Sequence, residues 1–260
     1  MVRQFPGDLQ MSHFFHDDFE IHFEMAGEGV PIILVHGFAS SLVKNWREPG
    51  WFDTLSKSGF QVIALDNRGH GKSGKSHDPA DYDNDRMAMD VVALLDYLGI
   101  ARAHYFGYSM GALIGLRALA LAPQRFHSFV LAGIGGNATK PQQHLNKLST
   151  AMSIADPTQL TDPMQIAFRA FAQSQPNDLL SLAACAARPR IPTGNADYVG
   201  QSLPPVLLIA GENDELAQDM DQLAAMIPGT TCVIVPRRNH MTAVGDKQTK
   251  QLVLEFLDRV

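Results

Sequence analysis

Short apolar runs without alternation recur along this chain, and they limit its possible folds more than any other feature of the sequence. Runs of this kind are typical of strands that are buried on both faces, as in a parallel sheet. They occupy residues Pro31–Val35, Val62–Leu65, His104–Phe106, Phe129–Leu131, Val206–Ala210 and Cys232–Val235. The segment Phe19–Met25 instead alternates apolar and polar residues, which predicts a strand with one solvated face.

Helical patterns lie between these strands. Apolar residues at helical spacing run from Met87 to Leu98, and Gly99 follows them as a candidate C-cap. The segment Ala112–Leu121 is apolar on nearly all sides, which suits a helix buried against a sheet. Strands that alternate with helices in this way predict an α/β fold with a mostly parallel, doubly wound sheet.

The alternation of strands and helices breaks between residues 137 and 202. This stretch carries helical patches and several prolines but no convincing buried strand. Because strands resume at Val206, we predict a helical cap over residues 137–202, inserted into a core formed by residues 1–136 and 203–260.

The composition excludes several classes of partner. A net charge of −6 gives no basic patch for nucleic acid and no attraction to an anionic membrane surface. The N-terminal residues contain no apolar signal segment, and no apolar run is long enough to span a bilayer. Cys185 and Cys232 are too few for a disulfide framework. We therefore expect a cytoplasmic protein that acts on a small molecule, as a monomer or homodimer.

The segment Gly107–Gly111 reads GYSMG and matches the pattern G-x-S-x-G. The pattern alone is weak, but this one follows the strand His104–Phe106 and opens the helix Ala112–Leu121. A strand, a tight turn and a helix in this order form the nucleophile elbow that exposes a reactive serine. Ser109 is therefore the candidate nucleophile, and a serine that only caps the helix is the alternative.

A serine hydroxyl needs a base to activate it, and the base needs an acid to orient it. Asp214 and His240 each follow one of the last two predicted strands. Because parallel sheets place their sites beyond the carboxyl ends of the strands, both residues are expected near Ser109. The chain order serine, aspartate, histidine is also the order of a hydrolase triad on this type of sheet.

Other interpretations of the acid and the base remain open. Glu212 and Asp219 lie close enough in sequence to replace Asp214 as the acid. Asp214 could also serve only as the N-cap of a helix predicted over Glu215–Ile227. His240 could be an ordinary surface histidine in a loop.

An oxyanion hole needs two inward-pointing N–H donors. One is expected from Met110, the residue after the nucleophile. The other is expected from Phe38, in the loop that follows the strand Pro31–Val35. His36 in the same loop is interpreted as a structural residue at a strand end rather than as a base or ligand.

In the candidate triad and the loops around it, the chain resembles the α/β-hydrolase superfamily, and the resemblance extends over nearly its whole length. The resemblance implies an eight-stranded sheet with a lid after the sixth strand, where residues 137–202 fall, and it implies no cofactor. The chain is most similar to small capped carboxylesterases, lactonases and cofactor-free haloperoxidase-like enzymes. The matching segments are His36–Phe38 (HGF), Asp66–Ser73 (DNRGHGKS), Gly107–Gly111 (GYSMG), Asp214 and His240.

The segment Gly69–Ser76 matches two phosphate-loop patterns, G-x-G-x-x-G and G-x-x-x-x-G-K-S. A phosphate loop opens a helix directly, whereas an acidic stretch with a proline, His77–Asp83, follows here. We therefore interpret this segment as a loop at the sheet edge near the site, and nucleotide binding is the alternative.

Metal binding has little support in the sequence. His13, His16, Asp17 and Asp18 cluster near the N-terminus, but their spacing matches no established set of metal ligands. We interpret them as solvated strand ends and expect no metal.

The cap is rich in Met, Ala, Leu and Gln, which predicts an adaptable, mostly apolar pocket. Phe168 and Phe171 of the cap are candidate substrate contacts, together with Tyr108 and Met241 beside the predicted triad. The hydroxyl of Tyr108 could itself touch the substrate.

Two arginines, Arg188 and Arg190, lie where the cap returns to the core. Either one would hold a substrate carboxylate if it faced the pocket. A solvated surface position is the more common place for an arginine and is the interpretation we favour here.

The leading hypothesis is hydrolysis of a small ester or lactone through an acyl-enzyme. Alternatives are a C–C bond hydrolase or a perhydrolase with the same triad, or a small-molecule receptor on a hydrolase fold. Tyr108 stands where related C–C bond hydrolases carry asparagine, which counts against ring-cleavage diketones as substrates. Dehalogenases and epoxide hydrolases of the superfamily use an aspartate nucleophile, so Ser109 counts against both activities.

Overall fold

The computed structural model describes residues 10–139, 144–189 and 194–260. Within these residues eight strands form one sheet, and helices cover both of its faces. The strands are β1 (Gln10–His16), β2 (Phe19–Ala26), β3 (Val30–Val35), β4 (Phe60–Leu65), β5 (Ala103–Tyr108), β6 (Phe126–Ala132), β7 (Val206–Gly211) and β8 (Thr230–Val235). The α-helices are α1 (Trp51–Lys57), α2 (Asn84–Tyr97), α3 (Met110–Leu121), α4 (His144–Ser153), α5 (Pro163–Gln173), α6 (Leu179–Ala187), α7 (Met220–Ala224) and α8 (Lys247–Leu257).

The strand order across the sheet is β1-β2-β4-β3-β5-β6-β7-β8. Strand β2 is antiparallel to both of its neighbours, and all other neighbouring strands are parallel. The predicted α/β fold with a mostly parallel sheet is therefore confirmed. The carboxyl ends of β3, β5, β7 and β8 meet at one edge, where an open α/β sheet places its ligands.

Apolar side chains of the central strands alternate between two buried clusters, one on each face of the sheet. Ile33 packs in the cluster beneath α2 and α3, whereas Leu34 packs in the opposite cluster with residues of α1 and α8. Burial of successive residues explains why these strands lack alternation in the sequence.

The solvated face predicted for the strand Phe19–Met25 is wrong at two of its three polar positions. Glu20 is exposed as predicted, but His22 and Glu24 are buried in β2. The Glu24 carboxylate is paired instead of solvated, since Arg47 Nη1 lies 3.0 Å from Glu24 Oε2. Pairing with Arg47 offsets the cost of burying the Glu24 carboxylate in an interior strand. The periodicity of the sequence cannot reveal this pairing.

The predicted solvated strand ends at the N-terminus are found at His13, Asp17 and Asp18, which are exposed, and the prediction is wrong only for His16. His13 and His16 belong to β1, which pairs along its length with β2. His16 Nδ1 lies 2.7 Å from Oδ1 of the buried Asp90. Asp90 also accepts two hydrogen bonds from the buried Arg68 guanidinium, at 2.6 and 2.7 Å, so His16 is tied to a buried ion pair.

The helix predicted over Glu215–Ile227 is much shorter than expected. Only Met220–Ala224 is α-helical, and Asp219 before it has a left-handed backbone with φ of 58°. Asp214 closes a local turn instead, since its Oδ1 accepts from the Leu216 N–H at 3.0 Å.

Helices α4, α5 and α6 lie between β6 and β7 in the chain, and no strand occurs in the described parts of residues 137–202. This agrees with the predicted helical content of the cap, while its action as a separate unit stays a prediction. Among the residues described, no helix has the length and hydropathy needed to cross a membrane. The cytoplasmic location stays a prediction too.

Candidate active site

Ser109 occupies the sharp turn between β5 and α3. Its backbone has φ of 54° and ψ of −113°, a conformation that side-chain-bearing residues rarely adopt. Its N–H donates to the Ala132 carbonyl at 2.8 Å, which fixes the turn to the neighbouring strand β6. A strained residue held in this way presents its side chain beyond the sheet edge.

The glycines on either side of Ser109 are required by close packing. A Cβ at Gly107 would overlap the backbone of Gly111. A Cβ at Gly111 would overlap the Val35 carbonyl at the end of β3. The motif thus encodes the close approach of β3, β5 and α3 that makes the turn possible.

Ser109, His240 and Asp214 form a continuous hydrogen-bonded chain. His240 Nε2 lies 3.0 Å from Ser109 Oγ, and His240 Nδ1 lies 2.9 and 3.0 Å from the two Asp214 carboxylate oxygens. Asp214 is 4% exposed, so its carboxylate faces the imidazole rather than solvent. With Nδ1 bound to a carboxylate, Nε2 is free to accept the proton of the serine hydroxyl.

The alternative acids lie elsewhere. Glu212 Oε2 accepts from the Arg237 N–H at 2.8 Å. The Asp219 side chain lies against Gly136 at the start of α7. Asp214 is therefore the carboxylate that the fold brings to His240.

Tyr108 supports the loop that carries His240. Its hydroxyl donates to the His240 carbonyl at 2.6 Å, and its ring lies 5.4 Å from the imidazole. Burial raises the pKa of Tyr108, and the negative charge of Asp214 raises it further. The hydroxyl therefore stays a neutral donor to the backbone, and its contact with substrate stays a prediction.

The loop after β3 is held by the ring of His36. His36 Nδ1 lies 2.8 Å from the Gly37 carbonyl, and Nε2 accepts from the Asn67 N–H at 2.9 Å. Burial lowers the pKa of His36, so the ring is neutral and can serve as donor on one side and acceptor on the other. This agrees with the structural role predicted for His36.

Two further side chains fix the backbone of this loop. The Gly37 N–H donates to Asn45 Oδ1 at 3.1 Å, and the Ala39 carbonyl accepts from Asn177 Nδ2 at 2.9 Å. In the described part of the chain, the N–H groups of Phe38 and Met110 donate to no other residue. These are the two donors that the sequence predicts for an oxyanion hole.

A pocket of about 230 Å³ opens at Ser109 and His240. All four predicted substrate contacts line it: Tyr108, Phe168, Phe171 and Met241. Phe38 lines it as well, with its ring 6.2 Å from that of Phe168. The core and the cap therefore both contribute to the surface next to the serine hydroxyl.

This geometry agrees with the comparison to known families. A family model described as the α/β-hydrolase fold matches residues 30–183. The chain belongs to this family.

Relatives of this α/β hydrolase carry several activities in their names. It is 32% identical to the dihydrolipoyllysine-residue acetyltransferase component of the acetoin cleaving system of Pseudomonas putida, over 90% of this chain and 65% of that protein. It is 41% identical to a putative carbamate hydrolase of Pseudomonas syringae, over 31% of this chain and 32% of that protein. The chain thus spans less than two thirds of the length of these curated relatives.

Solved structures match over more of the length. A hydrolase from Pseudomonas aeruginosa superimposes with a TM-score of 0.77 at 25% identity, covering 95% of this chain and 98% of that one. The match covers nearly the whole chain, so the overall architecture is that of the α/β-hydrolase fold.

The sequence did not point to several residues that line the pocket of this hydrolase. Asn45 and Lys44 belong to a π-helical turn, Val43–Arg47, which has no recognisable sequence signature. Pro49 and Val244 come from loops and are equally hard to assign without the fold. π-Helical turns are rare and are often found at functional sites. The turn Val43–Arg47 is therefore a sign of a functional site that only the structure reveals.

Arg188 does not line this pocket, and the predicted solvated position is wrong for it. The side chain is buried, and its Nε donates to Asn84 Oδ1 at 3.1 Å. Its Nη1 donates to the Cys185 carbonyl in the last turn of α6. Burial lowers the pKa of Arg188 from its ordinary value. Arg190 lies outside the described residues.

In the segment Gly69–Ser76, which matches the phosphate-loop patterns, the backbone folds around the carboxylate of Asp66. Asp66 Oδ2 accepts from the Lys72 N–H at 2.9 Å, and a Cβ at Gly71 would overlap this carboxylate. Lys75 Nζ donates to the carbonyls of His70 and Gly71 at 3.0 and 2.9 Å. A phosphate would have to displace Asp66, so the loop acts as a support of the sheet edge.

Proposed function

We propose that this hydrolase cleaves small carboxylic esters or lactones through an acyl-enzyme formed on Ser109. The observation that carries the proposal is the hydrogen-bonded chain from Ser109 Oγ through His240 to Asp214, with 3.0 Å between Oγ and Nε2. A serine at an elbow, a base within hydrogen-bond reach and a buried orienting acid are the parts that acyl transfer requires.

In the first half of the reaction, Ser109 Oγ attacks the substrate carbonyl while His240 Nε2 takes the hydroxyl proton. The Phe38 and Met110 N–H groups bind the negative oxygen of the tetrahedral intermediate. The intermediate collapses to acyl-Ser109, and His240 returns the proton to the departing alcohol oxygen.

In the second half, a water molecule attacks acyl-Ser109 and His240 takes its proton. Collapse of the second intermediate releases the carboxylic acid and restores the serine hydroxyl. The Asp214 carboxylate stabilises the imidazolium form of His240 in both halves, and it keeps Nε2 aimed at the reacting atoms.

The pocket supports a small substrate with an apolar acyl or alcohol group. Its volume of about 230 Å³ lies below the range of about 300–1,000 Å³ that is usual for ligand pockets. Phe168, Phe171 and Met241 supply apolar contact, which favours alkyl groups over charged ones.

Carbamates are a second candidate substrate class, favoured by the similarity to a putative carbamate hydrolase. A carbamate carbonyl undergoes the same attack by serine and needs the same two N–H donors. Parallel assays with p-nitrophenyl butyrate and a p-nitrophenyl N-alkylcarbamate rank the two classes by kcat/KM.

The test of the proposal is turnover of p-nitrophenyl acetate and butyrate by Ser109→Ala. We expect kcat to fall by roughly 10⁵-fold, because the nucleophile is lost while the pocket remains. Ser153→Ala, which changes an exposed serine on α4, is the matched control and should retain full activity. Near-normal rates in Ser109→Ala would show that another group attacks the ester.

A further inference from the structure

The cap is hydrogen-bonded directly to the loop that carries Phe38. Asn177 Nδ2 and Gln175 Nε2, in the connection between α5 and α6, donate to the Ala39 carbonyl at 2.9 and 3.2 Å. The Ser41 hydroxyl donates to Gln175 Oε1 at 3.2 Å, which adds a third bond between the same two segments. These bonds join parts of the chain that are more than 130 residues apart.

Ala39 has a backbone that needs such support. Residues Gly37 to Ser40 form a turn closed by the Ser40 N–H and the Gly37 carbonyl at 3.3 Å. Ala39 occupies the third position of this turn with φ of 58°, where glycine or asparagine is the usual residue. A non-glycine residue keeps this conformation only when its surroundings hold it.

The Phe38 N–H lies between two anchors of different origin. On one side, Asn45 of the core accepts the Gly37 N–H at 3.1 Å. On the other side, Asn177 and Gln175 of the cap hold the Ala39 carbonyl. The direction of the Phe38 N–H is set by the peptide planes between these anchors, so it depends on both.

We propose that Asn177 and Gln175 are positioning residues that set the oxyanion hole, so that docking of the cap on the core aligns the Phe38 N–H. The inference rests on the proposed acyl transfer at Ser109. Loss of the cap bonds lets Ala39 relax toward an ordinary backbone conformation, which turns the Phe38 N–H away from the oxyanion. Ground-state binding uses the apolar walls of the pocket and is unaffected.

The test compares Asn177→Leu, Asn177→Asp and the double variant Gln175→Leu/Asn177→Leu with the parent enzyme on p-nitrophenyl butyrate. Asn177→Asp preserves size but replaces the amide donor with an acceptor that repels the Ala39 carbonyl. We expect kcat to fall about 10-fold in each single variant and about 100-fold in the double variant, with KM little changed. The rate of Ser109 labelling by a fluorophosphonate should fall by the same factors, because its phosphoryl oxygen uses the same hole.

Ser174→Ala is the control in the same connection, since the Ser174 hydroxyl donates only to Phe171 within the cap. Thermal unfolding of every variant separates this effect from loss of fold. Unchanged kcat in Asn177→Asp and Asn177→Leu, or a rise in KM at constant kcat, overturns the positioning role. If either result is found while Ser109→Ala still abolishes turnover, the proposed function stands and only the positioning role is lost.

Discussion

The core and the cap both line the pocket at Ser109, but they hold their side chains by different means. Ser109, Asp214 and His240 follow the carboxyl ends of β5, β7 and β8, so hydrogen-bonded strands fix their spacing. Phe168 and Phe171 project from the short helix α5 and are half-buried. In this pocket the groups that must meet within hydrogen-bond distance directly follow strands of the sheet, while the two phenylalanines of the cap, which only need apolar contact, lie on a helix.

Buried arginines show the same difference. In the core, Arg68 makes two hydrogen bonds to the carboxylate of Asp90. In the cap, Arg169 Nη1 donates to the carbonyls of Ala151, Met152 and Ile154 at the end of α4, at 2.7, 3.1 and 3.0 Å. The core neutralises its buried charge with an acid, whereas the cap uses the partial charges of a helix end.

After loss of the nucleophile itself, the largest effect is expected from a change in the core that leaves its shape intact. Asp214→Asn keeps the size of the side chain but removes the charge that stabilises the His240 imidazolium. We expect kcat for p-nitrophenyl butyrate to fall by about 10⁴-fold. Glu212→Gln is the matched control, because Glu212 contacts the Arg237 N–H instead of His240. A loss below about 10-fold in Asp214→Asn would remove Asp214 from the triad.

A second change in the core tests stability rather than chemistry. Asp90→Asn leaves the buried Arg68 guanidinium with only the half-exposed Asp17 carboxylate at 3.6 Å, which should lower the free energy of unfolding by about 3 kcal/mol. Urea unfolding followed by fluorescence measures this loss, and kcat of the folded enzyme should be unchanged. Asp96→Asn, an exposed partner of Arg125, should change stability by no more than about 0.5 kcal/mol. Equal stability of the two variants would contradict the role given to the buried pair.

The corresponding change in the cap should have a smaller and more local effect. Arg169→Met removes the hydrogen bonds to the end of α4, and we expect unfolding to become easier by about 1–2 kcal/mol. Because Arg169→Met moves α5 and its apolar wall but leaves the hydrogen bonds of Asn177 and Gln175 to Ala39 in place, it should raise KM for p-nitrophenyl butyrate more than it lowers kcat. Hydrogen exchange, read at α4 and at β5, locates the change. Faster exchange throughout β5 would mean that cap and core unfold as one unit.

The smallest effect is expected from the apolar wall. Phe168→Ala and Phe171→Ala enlarge the pocket, which should shift the preference from acetate toward longer acyl esters by about 3- to 10-fold in relative kcat/KM. A panel of p-nitrophenyl esters from acetate to octanoate measures the shift. An unchanged chain-length profile in both variants would place the acyl group elsewhere.

The sequence alone predicted the parts of this molecule that depend on local pattern. The buried strands β3 to β7, the helix after Ser109 and the position of His240 beyond the last strand all follow from periodicity and motif spacing. The burial predicted for Cys232–Val235 is wrong, because β8 is an edge strand in which Ile234 is 51% exposed. The solvation predicted for Glu24 in the segment Phe19–Met25 failed because Arg47, 23 residues further along the chain, pairs with it. The alternating pattern of that strand carries no trace of such a partner.

The contacts around the oxyanion loop could not be predicted for a similar reason. Asn45 reaches Gly37 from a π-helical turn, and Asn177 reaches Ala39 across 138 positions of sequence. Neither contact has a periodic pattern or a motif. The helix predicted over Glu215–Ile227 was too long because its apolar spacing does not reveal the left-handed backbone of Asp219.

The central claim is that Ser109 alone becomes covalently modified during turnover, and labelling with a fluorophosphonate tests it most directly. Intact-protein mass spectrometry should show a single adduct, and peptide mapping should place it on Ser109. Ester hydrolysis should disappear in proportion to the labelled fraction. An adduct on any other residue, or full hydrolysis by completely labelled enzyme, would contradict this account.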